Sequence, residues 1–287
     1  MALEIVPARP EHVSELGRIC YEAFKDISDR HHFPSDFESV QFARMILGML
    51  VQGETEYGVT ALWNGQPAGS NFLMTADQVG GLGPISVEVS LQGLKIGRAL
   101  MQDVIDHARE SGVEMVRLLQ DSFNMTSLSL YASLGFDTKH PVSLMLPAPA
   151  STPDETIRPV TDQDLDAVEE LSRSIYRVSR RNEVAGHLRG GPFQPFLRER
   201  SGRVAGYFIL GMPGHGVAET EDDMVALVGE AARQTPPAFH RVLCPLTEGT
   251  LYRKLLAAGC RNIKVMNLMA LGPYEEPDGV WLPSVMF

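Results

Sequence analysis

The segment VEVSLQGLKIGRALM, from Val87 to Met101, constrains the fold more than any other stretch. Val87 and Val89 alternate as residues of a half-buried strand do, while Met101, Val104, Ile105 and Ala108 recur at helical spacing. Between them Gly93 and Gly97 permit sharp turns, so the run reads as buried strand, glycine loop and amphipathic helix. Such a junction aims the loop N–H groups and the positive end of the helix at one point, where Lys95 and Arg98 add charge. It suits a di- or triphosphate ester better than a carboxylate.

The loop has no GK[ST] ending of a nucleotide-hydrolysing P-loop and no three-glycine dinucleotide fingerprint. Downstream lies NMTSLSLYASLGF, from Asn124 to Phe136. Asn124 can cap a helix, Leu130 and Leu134 form its apolar stripe, and Gly135 with Phe136 is a helix stop with a hydrophobic latch. The pair of motifs resembles those of the GNAT superfamily of N-acyltransferases, whose acyl-CoA loop reads Gln or Arg, two residues, Gly, one residue, Gly or Ala. Gln92 and Gly97 match, and Lys95 stands where the middle glycine belongs. The resemblance spans residues 3 to 147.

It implies acetyl-CoA or another acyl-CoA as co-substrate, and no metal. The cofactor would lie along Val87 and Val89 and against the loop of Gln92, Gly93, Leu94, Lys95, Ile96, Gly97 and Arg98. Asn124 would hold the pantetheine arm and Tyr131 would protonate the departing thiolate. Spacing alone leaves Tyr131 open to a second reading, as a core aromatic on a helix face.

At 287 residues the chain is long enough for two domains with separate cores. No apolar run reaches the ~20 residues of a membrane span, and the start MALEIVPARPEHVSEL is not a secretory signal. Cys20, Cys244 and Cys260 have neither metal-ligand spacing nor a disulfide framework, so a reducing cytoplasm is the expected location. A net charge of -11 argues against nucleic acid as a partner. A homodimer stays open.

Along the chain, LEIVPAR reads as a strand and PEHVSELGRICYEAF as a helix with Val13, Leu16, Ile19 and Cys20 inward. ISDRHHFP reads as irregular, a second helix runs from about Ser35 to Leu50, and a hairpin turns at Asn64 and Gly65. LPAPASTPDE is the linker candidate. Beyond it the first half recurs in worn form. IRPVTDQDLDAVEEL echoes EIVPARPEHVSELG, SGRVAG echoes NGQPAG, and LYRKLLAAG echoes LYASLG. The offset shrinks from 152 (Ile157 against Ile5) to 137 (Gly202 against Gly65) to 121 (Tyr252 against Tyr131).

Where the first half has Lys95 and Arg98, the second has Glu219, Glu221, Asp222 and Asp223, which would repel a pyrophosphate. The expected architecture is therefore α/β: two tandem GNAT-like domains, each a mixed, mostly antiparallel sheet flanked by helices. Residues 1–147 form the acyl-CoA-binding catalytic domain, 148–155 the linker, and 156–287 a degenerate domain.

Acyl transfer needs a neutral amine, a polarised thioester carbonyl and a protonated leaving thiolate. In the GNAT superfamily a backbone N–H of the strand before the loop polarises the carbonyl, which here falls near Val87 to Val89. Glu88, facing opposite to these valines, is the candidate general base, with an exposed strand carboxylate as the alternative. His31, His32 and Phe33 fall between the first two helices, which line the acceptor pocket in that superfamily. His215, in a glycine-rich turn, reads as structural.

Three functions compete. The first is N-acyl transfer from acyl-CoA to the primary amine of a small molecule or peptide. A non-catalytic acyl-CoA-binding or sensory module is the second. An aminoacyl-tRNA-dependent transferase is the third, and it conflicts with the acidic charge.

Overall fold

The computed structural model describes residues 2–191, 193–212 and 214–286. They divide into two compact units: one of residues up to Leu118 with Phe123–Asp137 and Met286, the other of Leu119–Ser122 with Thr138–Val285.

The first unit begins with β1 (Leu3–Pro7) and a 3-10 turn opened by Pro10, which continues as α1 (Val13–His31). Leu16, Ile19, Cys20 and Ala23 are buried, the stripe expected from their spacing. The helix runs on through the stretch read as irregular, because ISDRH contains no breaker, and it ends only where His32 turns left-handed at φ 59°. His31 is thus the last residue of α1 and not part of the loop. Ser39 caps α2 (Val40–Gln52) by accepting the Phe42 N–H, five residues later than the sequence suggested.

The hairpin of β2 (Glu56–Trp63) and β3 (Gln66–Met74) turns at Asn64 and Gly65, at φ 52° and 78°, the left-handed pair of a two-residue turn. Next come β4 (Val79–Leu82), β5 (Ser86–Val87), α3 (Ile96–Glu110), β6 (Met115–Asp121) and α4 (Met125–Ser133). Strands β1, β2, β3 and β4 are antiparallel neighbours in that order, and β4 pairs in parallel with β6 over Val79–Gly81 and Met115–Arg117. Past Leu82 the chain returns to β3, and among the described residues β5 pairs with β3 alone. The buried face of α3, with Ile96, Leu100, Met101, Val104, Ile105 and Ala108, is the apolar stripe of the opening segment. Each of these side chains except Ala108 contributes roughly 1.5–3 kcal/mol when fully buried.

The second unit holds β7 (Asp137–Leu146) from Thr138 onward, β8 (Ile157–Pro159), α5 (Leu165–Tyr176), α6 (Arg181–Leu188), β9 (Pro195–Arg200) and β10 (Arg203–Ile209). These are followed by β11 (Gly216–Ala218), α7 (Glu221–Gln234), β12 (Val242–Pro245), α8 (Gly249–Ala257), β13 (Arg261–Leu271) and β14 (Val280–Leu282). Strands β14, β11, β10, β9 and β8 make one sheet, and β13, β7 and β12 lie side by side in another. Strand β7, which precedes the linker, pairs antiparallel with β12 from Val242↔Met145 to Pro245↔Val142.

The repeat is visible in the backbone. Ser201 and Gly202, at φ 54° and 77°, turn the β9–β10 hairpin just as Asn64 and Gly65 turn its counterpart. This core also buries charge. Arg180 Nε donates to Glu183 at 2.7 Å, Glu183 lies 3.4 Å from His215 Nδ1, and His215 Nε2 is 3.1 Å from the Tyr207 hydroxyl. Burial pulls the His215 imidazole down to about 4 and Arg180 adds to the effect. Burial pushes the Glu183 carboxyl up, but Arg180 and His215 outweigh it and hold it down at about 2. His215 is a buried, bonded side chain, in keeping with its structural reading.

Candidate active site

The glycine loop closes in a way its sequence conceals. Gly93 has φ 83°, and Lys95, the residue that replaces a glycine of the superfamily pattern, is itself left-handed at φ 65° as the N-cap of α3. The backbone path is that of a glycine, adopted by a lysine at a cost of about 1–2 kcal/mol. No side chain caps α3 and its first turn contains no acid, so the N-terminal amides keep their full positive end. Ile96 is buried and can offer only its backbone, whereas Gln92, Gly93, Leu94, Lys95 and Arg98 are exposed. Arg98 donates to Ser133 Oγ at 2.6 Å, tying the start of α3 to the end of α4. A Cβ on Gly97 would meet Leu130 and Val87 at 3.6 and 3.7 Å, ordinary contacts, so close packing is not what requires this glycine.

The strand before the loop is shorter than its alternation suggested. It ends at Val87, and Val89–Leu91 form a 3-10 turn, because three alternating residues cannot distinguish strand from tight turn. The Glu88 N–H bonds the Ala68 carbonyl at 2.8 Å. With a two-residue period, the Val87 N–H and carbonyl then point away from β3, to the edge where β5 has no strand partner. Gln92 Nε2 donates to that carbonyl at 3.3 Å and holds the loop to the strand end.

Asn124 caps α4, its Oδ1 accepting from the Ser127 N–H at 3.2 Å. Tyr131 lies on the same helix and is buried to 7% exposure, its ring 6.2 Å from Phe136. The stop is as expected: Gly135 has φ 98° and the Phe136 N–H returns to the Tyr131 carbonyl at 3.1 Å.

Glu88 has a partner that no local pattern reveals. Arg18 of α1, seventy residues away, donates to it at 2.5 Å, donates to Glu15 at 2.6 Å and also pairs with Glu22. These bonds, that to Glu15 first, push the Arg18 pKa upward. One guanidinium thus sits among three carboxylates, a locally acidic surface. His31 and Phe33 meet the turn before Asn124: Phe33 stacks on Phe123 at 4.5 Å and 6°, and His31 lies 5.1 Å from the same ring. Phe123 escaped the sequence reading, and its one available signal was its place just before the motif asparagine. His32, exposed at the helix cap, contributes its left-handed backbone.

At the corresponding positions of the second unit the fittings differ. Thr220 caps α7 by accepting the Asp223 N–H at 3.2 Å, and Glu221, Asp222 and Asp223 fill the first turn. Arg200 pairs with Asp223 at 3.0 Å and with Glu219, Arg203 pairs with Glu219, and Lys254 reaches Asp222 at 2.8 Å. Tyr252 accepts a hydrogen bond from Asn262 Nδ2 at 2.7 Å, and the offset that aligns it with Tyr131 puts Pro245 opposite Asn124. Among the described residues no three His, Cys, Asp or Glu side chains are grouped to hold a metal, and no helix is long and apolar enough to cross a membrane.

The acetyltransferase (GNAT) family profile matches residues 18–136. Mycothiol acetyltransferase of Thermomonospora curvata is 38% identical over 73 residues, 25% of this chain and 24% of that protein. Its namesake from Sanguibacter keddieii is 35% identical over 75 residues, 26% of this chain and 24% of the relative. The chain thus matches about a quarter of the length of these relatives. A solved structure from Pyrococcus horikoshii, described as a candidate acetyltransferase, superposes with TM-score 0.77 at 15% identity, over 99% of this chain and 94% of its own. A GCN5-related N-acetyltransferase from Sphaerobacter thermophilus does so with TM-score 0.61 at 13% identity, over 97% and 98%. Likeness along both full lengths shows the fold of two tandem GNAT-like domains.

Proposed function

We propose, from the match of residues 18–136 to the acetyltransferase (GNAT) family profile, that the first unit binds one acyl-CoA and transfers an acetyl or other short acyl group to a primary amine. The family's co-substrate supplies the thioester. The observation that carries this reading is the start of α3, uncapped, free of acid and flanked by Lys95 and Arg98. An anion there gains the helix end, the loop amides and two cations together.

The open edge of β5 suits the pantetheine arm as an added strand, with the Val87 N–H facing the thioester carbonyl. The arm's far contact is Asn124. Direct attack in a ternary complex forms the C–N bond and breaks the C–S bond; Tyr131 delivers a proton to the thiolate and the amine proton leaves toward Glu88 or water. Three carboxylates around Arg18 draw a cationic amine to the strand end, where it gives up one proton to water before attack as the neutral amine, and Arg18 orients Glu88. The proposed division of the sequence remains 1–147, 148–155 and 156–287, with β7 from Thr138 onward built into the sheet of the second unit and no cofactor in the last segment, and a cytoplasmic location fits three free, buried cysteines. The acceptor class is a small-molecule or peptide amine, and the name of the curated relatives places mycothiol chemistry on the assay panel.

Calorimetry with CoA should give a stoichiometry near one per chain, and thiol release from acetyl-CoA should require an amine. A stoichiometry near two would overturn the account of the second unit. A non-catalytic acyl-CoA sensor is the second reading, supported by the pairing of Glu88 with Arg18, which already occupies the carboxylate that would take the amine proton. Tight CoA binding without thiol release on any amine would select it.

A further inference from the structure

We propose that Phe123 is a positioning residue that couples the acceptor-side segment at the end of α1 to the cofactor contact at Asn124. The inference rests on the acyl-CoA reading above and adds to it a residue outside both motifs' assigned roles.

The argument starts from the backbone. α1 stops at His31, His32 turns left-handed at φ 59°, and the Phe33 N–H returns to the Ser28 carbonyl at 3.0 Å. This reversal fixes the direction in which the Phe33 side chain leaves the backbone. The ring meets Phe123 face to face at 4.5 Å and 6°, while His31, from the last helical turn, leans on the same ring at 5.1 Å and 34°. Phe123 is therefore held from two sides by residues adjacent in sequence, across ninety residues of chain. Its own peptide neighbour is Asn124, whose side chain must cap α4 through the Ser127 N–H to hold its rotamer. A ring clamped one residue before the cap fixes the approach of the backbone into that cap.

None of the three rings is fully buried, so the contact is not part of the hydrophobic core. Core packing alone would not call for a stacked pair at a rim. A stack at this place connects the two ends of the proposed reaction: the amine enters past His31 to Phe33, and the pantetheine arm is held at Asn124. Ordering of one segment then favours ordering of the other, because each supplies half of the aromatic contact.

The test uses the full chain and CoA itself, titrated calorimetrically into the parent and into Phe33→Ala, Phe123→Ala, the double variant and Phe123→Tyr. Phe33 is not itself assigned to the cofactor, yet Phe33→Ala should weaken CoA binding about 3- to 10-fold, the range of one aromatic pair. Phe123→Ala should do the same, the double variant should be no weaker than the weaker single variant, and Phe123→Tyr should remain within about twofold of the parent. Circular dichroism accompanies each titration to separate loss of fold from loss of coupling. Normal CoA affinity in Phe33→Ala, or losses that multiply in the double variant, would overturn the coupling while leaving the acyl-CoA reading intact. A parent that does not bind CoA would remove that reading and this inference with it.

Discussion

The starts of α3 and α7 occupy matching places in the element order of the two units and have opposite electrostatic fates. At α3 the N-cap is a lysine whose side chain caps nothing, the first turn has no acid, and Arg98 reaches across to α4. At α7 a threonine caps, three acids follow, and Arg198 and Arg200 of β9 and Lys254 of α8 answer them. In the second unit the helix start is occupied by its own carboxylates, and these are paired with its own cations. A helix end can be stabilised from within or left for a ligand, and the two uses exclude each other.

The largest test of this contrast concerns the tyrosines downstream. Tyr131→Phe should lower the acyl-transfer rate ~10²- to 10⁴-fold with CoA affinity nearly unchanged, as loss of a general acid does. Tyr252→Phe, which removes only an acceptor for Asn262, should leave the rate alone and cost about 1 kcal/mol of stability by denaturant titration. Equal rates in both variants would make the two tyrosines equivalent packing residues.

Gly97→Glu gives α3 the kind of acid that α7 carries. Its Cβ has room, so the fold should survive while CoA affinity falls roughly 100-fold or more in calorimetry, from charge repulsion beside the phosphates. Undiminished binding would place the phosphates elsewhere.

The smallest effect sharpens the role of Lys95. Lys95→Gly should raise stability by about 1 kcal/mol by relieving the left-handed lysine, and lower CoA affinity a few-fold by removing one cation. If affinity rises instead, close backbone approach matters more than the charge.

These contrasts were unevenly legible in the chain. The hairpins, the acid at α7, the cap by Asn124 and the face of α3 follow from short-range rules about positive φ, capping and helical period, and each lies within one turn or one helix. Glu88 shows the limit: its neighbours suggest a free strand carboxylate, and the guanidinium that holds it arrives from α1. The end of β5 at Val87 was hidden because alternation over three residues has two structural solutions. His31 was misplaced for a simpler reason, since polar residues without glycine or proline extend a helix until the backbone itself reverses. Phe123 matters only through rings ninety residues earlier, and no periodicity encodes a stack between separate segments.

The pairing of β7 bears on how this protein can be handled at the bench. The Pro- and Ala-rich segment after Leu146 invites a cut that would release a tidy first half. Such a fragment would carry β7 away from β12, with the N–H and C=O groups of Val142 to Met145 stripped of their antiparallel partner. A bare apolar strand edge of that kind recruits other chains and aggregates. The β7–β12 ladder therefore spans the seam that the sequence suggests, and expression of all 287 residues together is the sounder route to a well-behaved sample.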